Sequence, residues 1–164
     1  MSKQLRQYIG LMSAIIAYYV IHEGAHLLCA LSMGVFKEIK FMGLGIQINV
    51  AAQAMTPAQL GLFCIVGSVA TGLAGWILTA SAGRITCAHS PVFKACMYYI
   101  TIAMLLIDPL YLSVLCNFFG GGDMNGISYL FPEAAARFIY GGILAANTVL
   151  FFKTVLPTYK ASFV

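Results

Sequence analysis

The residues best suited to chemistry stand together in an HExxH pattern at positions 22–26, inside an apolar run over residues 8–31. On a helix, positions i and i+4 project from one face, so the imidazoles of His22 and His26 can bind one metal ion. Zinc accepts such ligands, and Glu23 between them can then act as general base on a zinc-bound water. Because ionisable residues are costly within a membrane, their presence there indicates a functional site. The pattern predicts a zinc hydrolase that works inside the bilayer.

The composition of the chain indicates a membrane protein. Of its 164 residues, 61% are hydrophobic and only 9% are charged, and the mean hydropathy is +0.90, whereas a soluble domain is about one quarter charged. A helix needs roughly 20 apolar residues to cross the hydrocarbon core. Four stretches approach or exceed that length, at residues 8–31, 60–82, 95–119 and 137–156. We therefore expect an all-α integral membrane protein with about four transmembrane helices, in which residues 1–164 form a single membrane-embedded domain.

The charges and cysteines exclude other classes of function. The net charge of +4 is spread over tails and loops without a basic run, so nucleic acid is not expected as a partner. The basic residues instead resemble anchors that flank membrane helices, which makes membrane lipid an expected partner. The five cysteines contain no CxxC pair and are expected to be small buried side chains. Nothing in the sequence indicates the oligomeric state.

The segment between the first two helices, residues 35–50, has a different periodicity. Its second half alternates apolar Ile46, Ile48 and Val50 with polar side chains, which is typical of a strand with one apolar face. We expect a short β-hairpin or strand at the membrane interface. An exposed strand edge can pair with an extended peptide, so Ile46 and Ile48 are candidate substrate-binding residues.

A catalytic zinc takes three protein ligands and keeps one position for water, so the two histidines need a partner. Asp108 and Asp123 are the main candidates, and both belong to the region of the third helix and the loop that follows it. Glu133 is a less favoured candidate, and topology excludes His89, which lies in the loop on the opposite side. With four crossings, the loop after the third helix lies on the same side of the membrane as the end of the first helix. The glycines at 120–122 would allow the loop to bend toward the membrane interior and bring Asp123 near the histidines. Asp108 lies about 18 Å of helix before Gly120, and His22 lies about as far before the end of the first helix at Gly34. The two residues are therefore expected at a similar depth in the membrane, which favours Asp108. The residues alone leave both candidates open.

Taken together, the motifs from residue 16 to residue 126 resemble the site-2 protease family of intramembrane zinc metalloproteases. The pentad at 22–26 is similar to the family's HExGH, and residues 37–48 are similar to its interfacial strand with a G-x-G, here at 43–45. Residues 67–71 resemble the family's G-P-x-x-N helix, with Ser and Thr in place of Pro and Asn.

The family's last motif has an Asn that contacts the substrate, two prolines and then Leu-Asp-Gly, whose Asp is the third zinc ligand. Residues 117–123 are the nearest match, although the segment is two residues shorter and has glycines in place of prolines. The resemblance implies Asp123 as the third ligand, with Asp108 as the alternative, and Asn117 as a residue that contacts the substrate. It also implies hydrolysis of a peptide bond in a membrane-spanning protein, extended substrate added to the strand near residues 46–50, and a minimal member without a PDZ-like domain in a prokaryotic cytoplasmic membrane.

Two other classes of function remain possible on the sequence. A membrane protein could use the same cluster for metal transport or sensing, or as an inactive scaffold that binds transmembrane helices. A purely structural subunit would bind no metal. Orientation also stays open: the excess of basic residues at the end that carries the termini places that end in the cytoplasm, whereas several members of the family have the pentad nearer the cytosol.

Overall fold

The computed structural model describes residues 2–43, 45–118 and 122–163, and only the backbone of Met42. In these ranges the chain forms seven α-helices and two strands, with short 3-10 and π-helical segments between them. Their bounds are α1 Lys3–Ser32, β1 Phe36–Met42, β2 Gly45–Val50, a 3-10 turn Ala52–Ala54, α2 Pro57–Ala80, α3 Ala82–Thr86, α4 Pro91–Leu110, a π-helical turn Tyr111–Leu115, α5 Asp123–Ile127, α6 Glu133–Leu150, a second π-helical turn Phe151–Val155 and α7 Leu156–Ser162.

Four helical segments of the described residues are long and apolar enough to cross a membrane. They are Lys3–Ser32, Pro57–Ala80, Pro91–Leu115 and Glu133–Ser162. The prediction of an all-α membrane protein with four crossings and a hairpin between the first two is therefore confirmed. The protein is a multi-pass membrane protein.

The first three crossings begin before the apolar stretches that predicted them, because polar residues cap them outside those stretches. Ser2 accepts a hydrogen bond from the N–H of Leu5 and starts α1. Thr56 starts α2 through a reciprocal capping box with Gln59, and Ser90 caps α4. Such side chains satisfy backbone donors that the first turn of a helix leaves unpaired.

The ends of the last two crossings also differ from the expected bounds. The third crossing ends at Leu115, short of residue 119, after the N–H of Cys116 bonds to the carbonyl of Tyr111 in a π-helical pattern at 2.8 Å. This turn follows Pro109, which supplies no backbone donor. The fourth crossing continues past residue 156 to Ser162, because Tyr159 is fully packed against the neighbouring helices.

β1 and β2 form a two-stranded antiparallel hairpin whose turn contains Gly43 at φ +62°. Gln47 pairs with Lys40 and Ile48 with Ile39. The N–H of Ile48 bonds outside the hairpin, to the carboxylate of Glu23 on α1. Since alternate residues of a strand point their N–H groups in one direction, the free edge of β2 faces α1.

The four crossings pack closely where small residues lie on their contact faces. α1 lies against both α2 and α4, and α2 also lies against α4. A Cβ atom on Gly75 of α2 would lie 2.9 Å from the side chain of Leu105 on α4, so only glycine allows this approach. The short helix α5 packs against α2 through Gly126, which touches Cys64. These contacts bring α1, α2, α4 and α5 close to one another around the histidines of α1.

Candidate metal centre

The two histidines of the HExxH pattern lie one turn apart on the buried face of α1. The exposed fraction is 8% for His22 and 3% for His26, and their Nε2 atoms are 3.2 Å apart. His22 stacks on Tyr18, and His26 packs against Phe63 of α2. The helix therefore presents two imidazole nitrogens to the same point, as the i, i+4 spacing predicts.

Asp123, the first residue of α5, supplies the third atom of the group. Its Oδ2 is 3.3 Å from Nε2 of His22 and 3.4 Å from Nε2 of His26. Ligands at about 2.0–2.1 Å from a tetrahedral zinc ion lie about 3.3–3.4 Å from one another. The three observed separations match that triangle, so His22, His26 and Asp123 can hold one metal ion.

Gly67 of α2 leaves open the space next to this triangle. A Cβ atom at this position would lie 2.5 Å from Nε2 of His26 and 2.8 Å from Nε2 of His22. Any other residue would therefore push a methylene or methyl group against both nitrogens. The absence of a side chain at Gly67 fits a site in which these nitrogens bind an ion.

The two histidines favour the ionised form of the Asp123 carboxylate. Burial raises the pKa of Asp123, but hydrogen bonds to His22 and His26 and their charges outweigh burial and lower it to about 2. An anionic oxygen and two imidazole nitrogens form a donor set suited to a divalent transition metal.

Asp108 lies behind the centre, on the opposite side of the His22 ring. Its Oδ2 is 3.2 Å from Nδ1 of His22, and it accepts hydrogen bonds from the hydroxyls of Tyr18 and Thr71. It is 2% exposed. A carboxylate that accepts the Nδ1–H of a histidine fixes its tautomer and leaves Nε2 with a lone pair for a metal, as in carboxylate–histidine–zinc arrangements.

Glu23 lies beside the centre on the wall of a cleft of about 340 Å³. Its carboxylate accepts a hydrogen bond of 3.3 Å from the N–H of Ile48 on β2. The cleft is lined by side chains and backbone from α1, β2, α2, the first π-helical turn and the start of α5: Glu23, His26, Gly45, Ile46, Gln47, Ile48, Phe63, Tyr111, Gly122 and Asp123. A cleft that contains a possible metal site, a carboxylate and a free strand edge has the parts needed to hydrolyse an extended peptide.

The predicted site residues are thus mostly brought together. His22, His26 and Asp123 form the metal-capable group, and Ile46 and Ile48 line the same cleft as Glu23. Asn117 lies in an exposed turn after the first π-helical turn and is not among the described residues that line the cleft.

Two of the predicted glycines, Gly120 and Gly121, lie outside the described residues. The third, Gly122, has φ +45°, a region that favours glycine. A Cβ atom there would lie 2.5 Å from the hydroxyl of Tyr111. Glycine at 122 therefore allows the chain to enter α5 close to Tyr111, which places Asp123 beside the histidines.

Sequence reasoning did not identify Tyr18 and Thr71 as partners of Asp108, or Gly67 as the space beside the ligands. Tyr18 precedes His22 by four residues, and Thr71 follows Gly67 by four, so each pair shares a helix face. That spacing is the signal that could have identified them.

In comparisons with protein-family models, curated proteins and solved structures, no match was found.

Proposed function

We propose that this chain is an intramembrane zinc metalloprotease of site-2 protease type that hydrolyses peptide bonds of membrane-spanning proteins. The observation that supports this most strongly is the convergence of two imidazole nitrogens and one carboxylate oxygen next to Glu23. His22, Glu23 and His26 lie on a helix long enough to cross a membrane, and Asp123 lies on the short helix α5 that packs against a second such helix. A hydrolytic site on such a helix would have membrane-embedded chains as its accessible substrates.

We propose zinc as the metal at this site. Two histidines and one carboxylate are the protein ligands of several zinc peptidases, which keep a fourth position for water or substrate. In such sites zinc polarises the scissile carbonyl and makes a water nucleophilic near neutral pH. The ligand spacing and the space at Gly67 are compatible with an ion of this size.

Glu23 is the residue that we propose as general base. It would take a proton from the attacking water and deliver it to the leaving nitrogen of the cleaved bond. Asp108 would hold His22 in one orientation and keep its Nε2 unprotonated, so it acts through His22 and does not contact the reacting atoms.

The free edge of β2 is the proposed site of substrate binding. Ile46 and Ile48 direct their N–H and C=O groups away from β1, toward the cleft. An extended substrate could therefore add as a third strand. A substrate carbonyl that accepts the N–H of Ile48 would replace the carboxylate of Glu23 there, and Glu23 would then be released toward the water.

A comparison of Glu23→Gln with Glu133→Gln tests the proposed chemistry. Glu133 is an exposed residue that pairs with Arg137 at 2.9 Å and does not line the cleft. With a single-span model substrate in vesicles, we expect Glu23→Gln to abolish cleavage while zinc remains bound at the wild-type stoichiometry, and Glu133→Gln to cleave normally. Cleavage by Glu23→Gln at the wild-type rate would rule out the proposed base.

The same experiment distinguishes the alternative class of function. Stoichiometric zinc in the wild type, without any hydrolysis that a chelator inhibits, would support a membrane protein that uses the metal for transport, sensing or helix binding. We also propose a prokaryotic cytoplasmic membrane as its location, on the basis of the resemblance to a minimal member of the site-2 protease family.

A further inference from the structure

The end of the molecule opposite the hairpin has an unbalanced charge. All five acidic side chains of the protein, at positions 23, 38, 108, 123 and 133, belong to the centre, the hairpin or the adjoining start of α6. The first turns of α1 and α4 and the end of α7 carry Lys3, Arg6, Lys94 and Lys160. Among the described residues, these cations have no carboxylate side chain as a partner.

Three of these cations line a single cavity of about 470 Å³ at this end. Lys3 and Arg6 come from α1, and Lys160 comes from α7. The rest of the wall is mainly aromatic and apolar, and its members are Ala95, Tyr98, Tyr99, Leu156, Tyr159 and Phe163, with Gln7 beside them. No acidic side chain of the described residues lines this cavity.

Contacts with Lys94 and Arg6 fix the residues that follow α7 beside the cavity. The ammonium of Lys94 donates a hydrogen bond of 2.6 Å to the carbonyl of Ser162 and lies 5.4 Å from the ring centre of Phe163. The guanidinium of Arg6 lies 5.9 Å from the same ring. Because one aromatic ring contacts cations from α1 and α4, the three helix ends converge around the cavity.

We propose that this cavity binds the phosphate headgroup of an anionic membrane phospholipid. It lies where three candidate spanning segments start or end, and the ends of helices that cross the hydrocarbon core fall among the lipid headgroups. Basic pockets between transmembrane helices bind anionic lipids in this way, and tyrosines are favoured at the same depth. The aromatic and apolar wall would contact the glycerol backbone and the first methylenes of the acyl chains. This mixture of cations and apolar groups fits a phospholipid better than a free inorganic anion.

Native mass spectrometry of the purified protein in neutral detergent tests the proposal. The protein is titrated with phosphatidylglycerol, with phosphatidylcholine of the same acyl chains, and with inorganic phosphate. We expect one retained phosphatidylglycerol per chain, in preference to phosphatidylcholine. Arg6→Gln with Lys160→Gln should weaken phosphatidylglycerol binding about 25-fold, because each basic residue at an anionic surface contributes about a fivefold factor in affinity.

The matched control is Arg84→Gln with Lys153→Gln. Both side chains are exposed and neither lines the cavity, so this variant loses the same two charges and should bind within about twofold of the wild type. Lys160→Gln alone, at an exposed position, should weaken binding about fivefold and replaces the double variant if that variant loses its helical circular dichroism.

Three outcomes would overturn the proposal. Equal weakening in the two double variants would show that binding depends on total charge and not on the cavity. Equal retention of phosphatidylcholine and phosphatidylglycerol would exclude recognition of the anionic headgroup. Displacement of the lipid by inorganic phosphate at equal concentration would identify a free anion as the occupant.

Discussion

Replacement of Gly67 by alanine should remove the metal and leave the rest of the fold in place. The added Cβ would lie 2.5 Å from Nε2 of His26 and 2.8 Å from Nε2 of His22, whereas ordinary van der Waals contact begins at 3.4 Å. The two nitrogens would have to retreat by roughly 0.9 and 0.6 Å to relieve the overlap. Metal–ligand distances tolerate changes of only about 0.2 Å. We therefore expect zinc affinity to fall by at least about 100-fold, the upper range for loss of a supporting contact.

Two other glycines of α2 provide controls for this substitution. Gly72 has no atom within 4 Å of an added Cβ, so Gly72→Ala should keep zinc and wild-type stability. Gly75→Ala is crowded by Leu105 at 2.9 Å, away from the centre. Overpacking of this kind costs about 1–3 kcal/mol, so Gly75→Ala should lower thermal stability and still bind zinc.

The assay is zinc content by elemental analysis, together with competition against a chromophoric chelator in detergent solution. Loss of zinc in Gly67→Ala alone supports a site in which both Nε2 atoms bind the ion. Wild-type zinc affinity in Gly67→Ala would refute the proposed position of the metal. Equal loss of zinc in Gly67→Ala and Gly75→Ala would show that general packing, and not the space beside the imidazoles, controls binding.

Three further predictions concern the surroundings of the centre. Asp123→Asn should abolish stoichiometric zinc binding, whereas Asp108→Asn should weaken zinc binding by about 10–100-fold. Elemental analysis and chelator competition measure the two effects. Loss of zinc in Asp108→Asn with only weakened binding in Asp123→Asn would make Asp108 the ligand. Ile46→Pro removes an N–H from the free edge of β2 and should lower cleavage at least about tenfold with zinc retained, as measured on a model membrane substrate; unchanged cleavage would exclude strand addition there. Gly126→Ala would bring a Cβ atom against Cys64 and should lower the free energy of unfolding by about 1–3 kcal/mol. Gly142→Ala has open space around the added atom and should not lower it. Denaturation in detergent compares the stability of the two variants.

The parts of the fold that depend on local pattern could be predicted from the sequence. The four crossings follow from the length of their apolar stretches, and the hairpin follows from the alternation at residues 46–50. The predicted ends of the helices differ from the observed ends by several residues. Capping by Ser2, Thr56 and Ser90 lengthens helices outside the hydrophobic stretches, and a π-helical turn shortens the third crossing. The length of an apolar stretch in the sequence indicates neither the capping nor the π-helical turn.

The site shows why the roles of the two aspartates could not be separated from sequence alone. Matching of depth placed Asp108 at the level of His22, and the structure has them in contact. An imidazole has two nitrogens on opposite sides, however, and depth along the membrane cannot say which of them an acid faces. Asp108 faces Nδ1 and Asp123 faces Nε2. The cavity at the other end was missed for a related reason, since Lys3 and Lys160 are far apart in sequence and meet only in the folded chain.

The same face of α2 lies against both the metal-capable group and the carboxylate of Asp108 behind it. Gly67 leaves room beside the two Nε2 atoms, and Thr71, one turn later on that face, donates its hydroxyl to Asp108. A buried carboxylate is tolerated only when its hydrogen-bond capacity is filled, and Asp108 is paired with groups from both α1 and α2. A shift of α2 away from α1 would remove the Thr71 hydroxyl from Asp108, which would keep only its partners Tyr18 and His22 on α1. The same shift would displace α5, which packs against α2 and carries Asp123. The hydrogen bond from Thr71 therefore favours close packing of α2, and Asp108 in turn keeps His22 oriented toward Asp123.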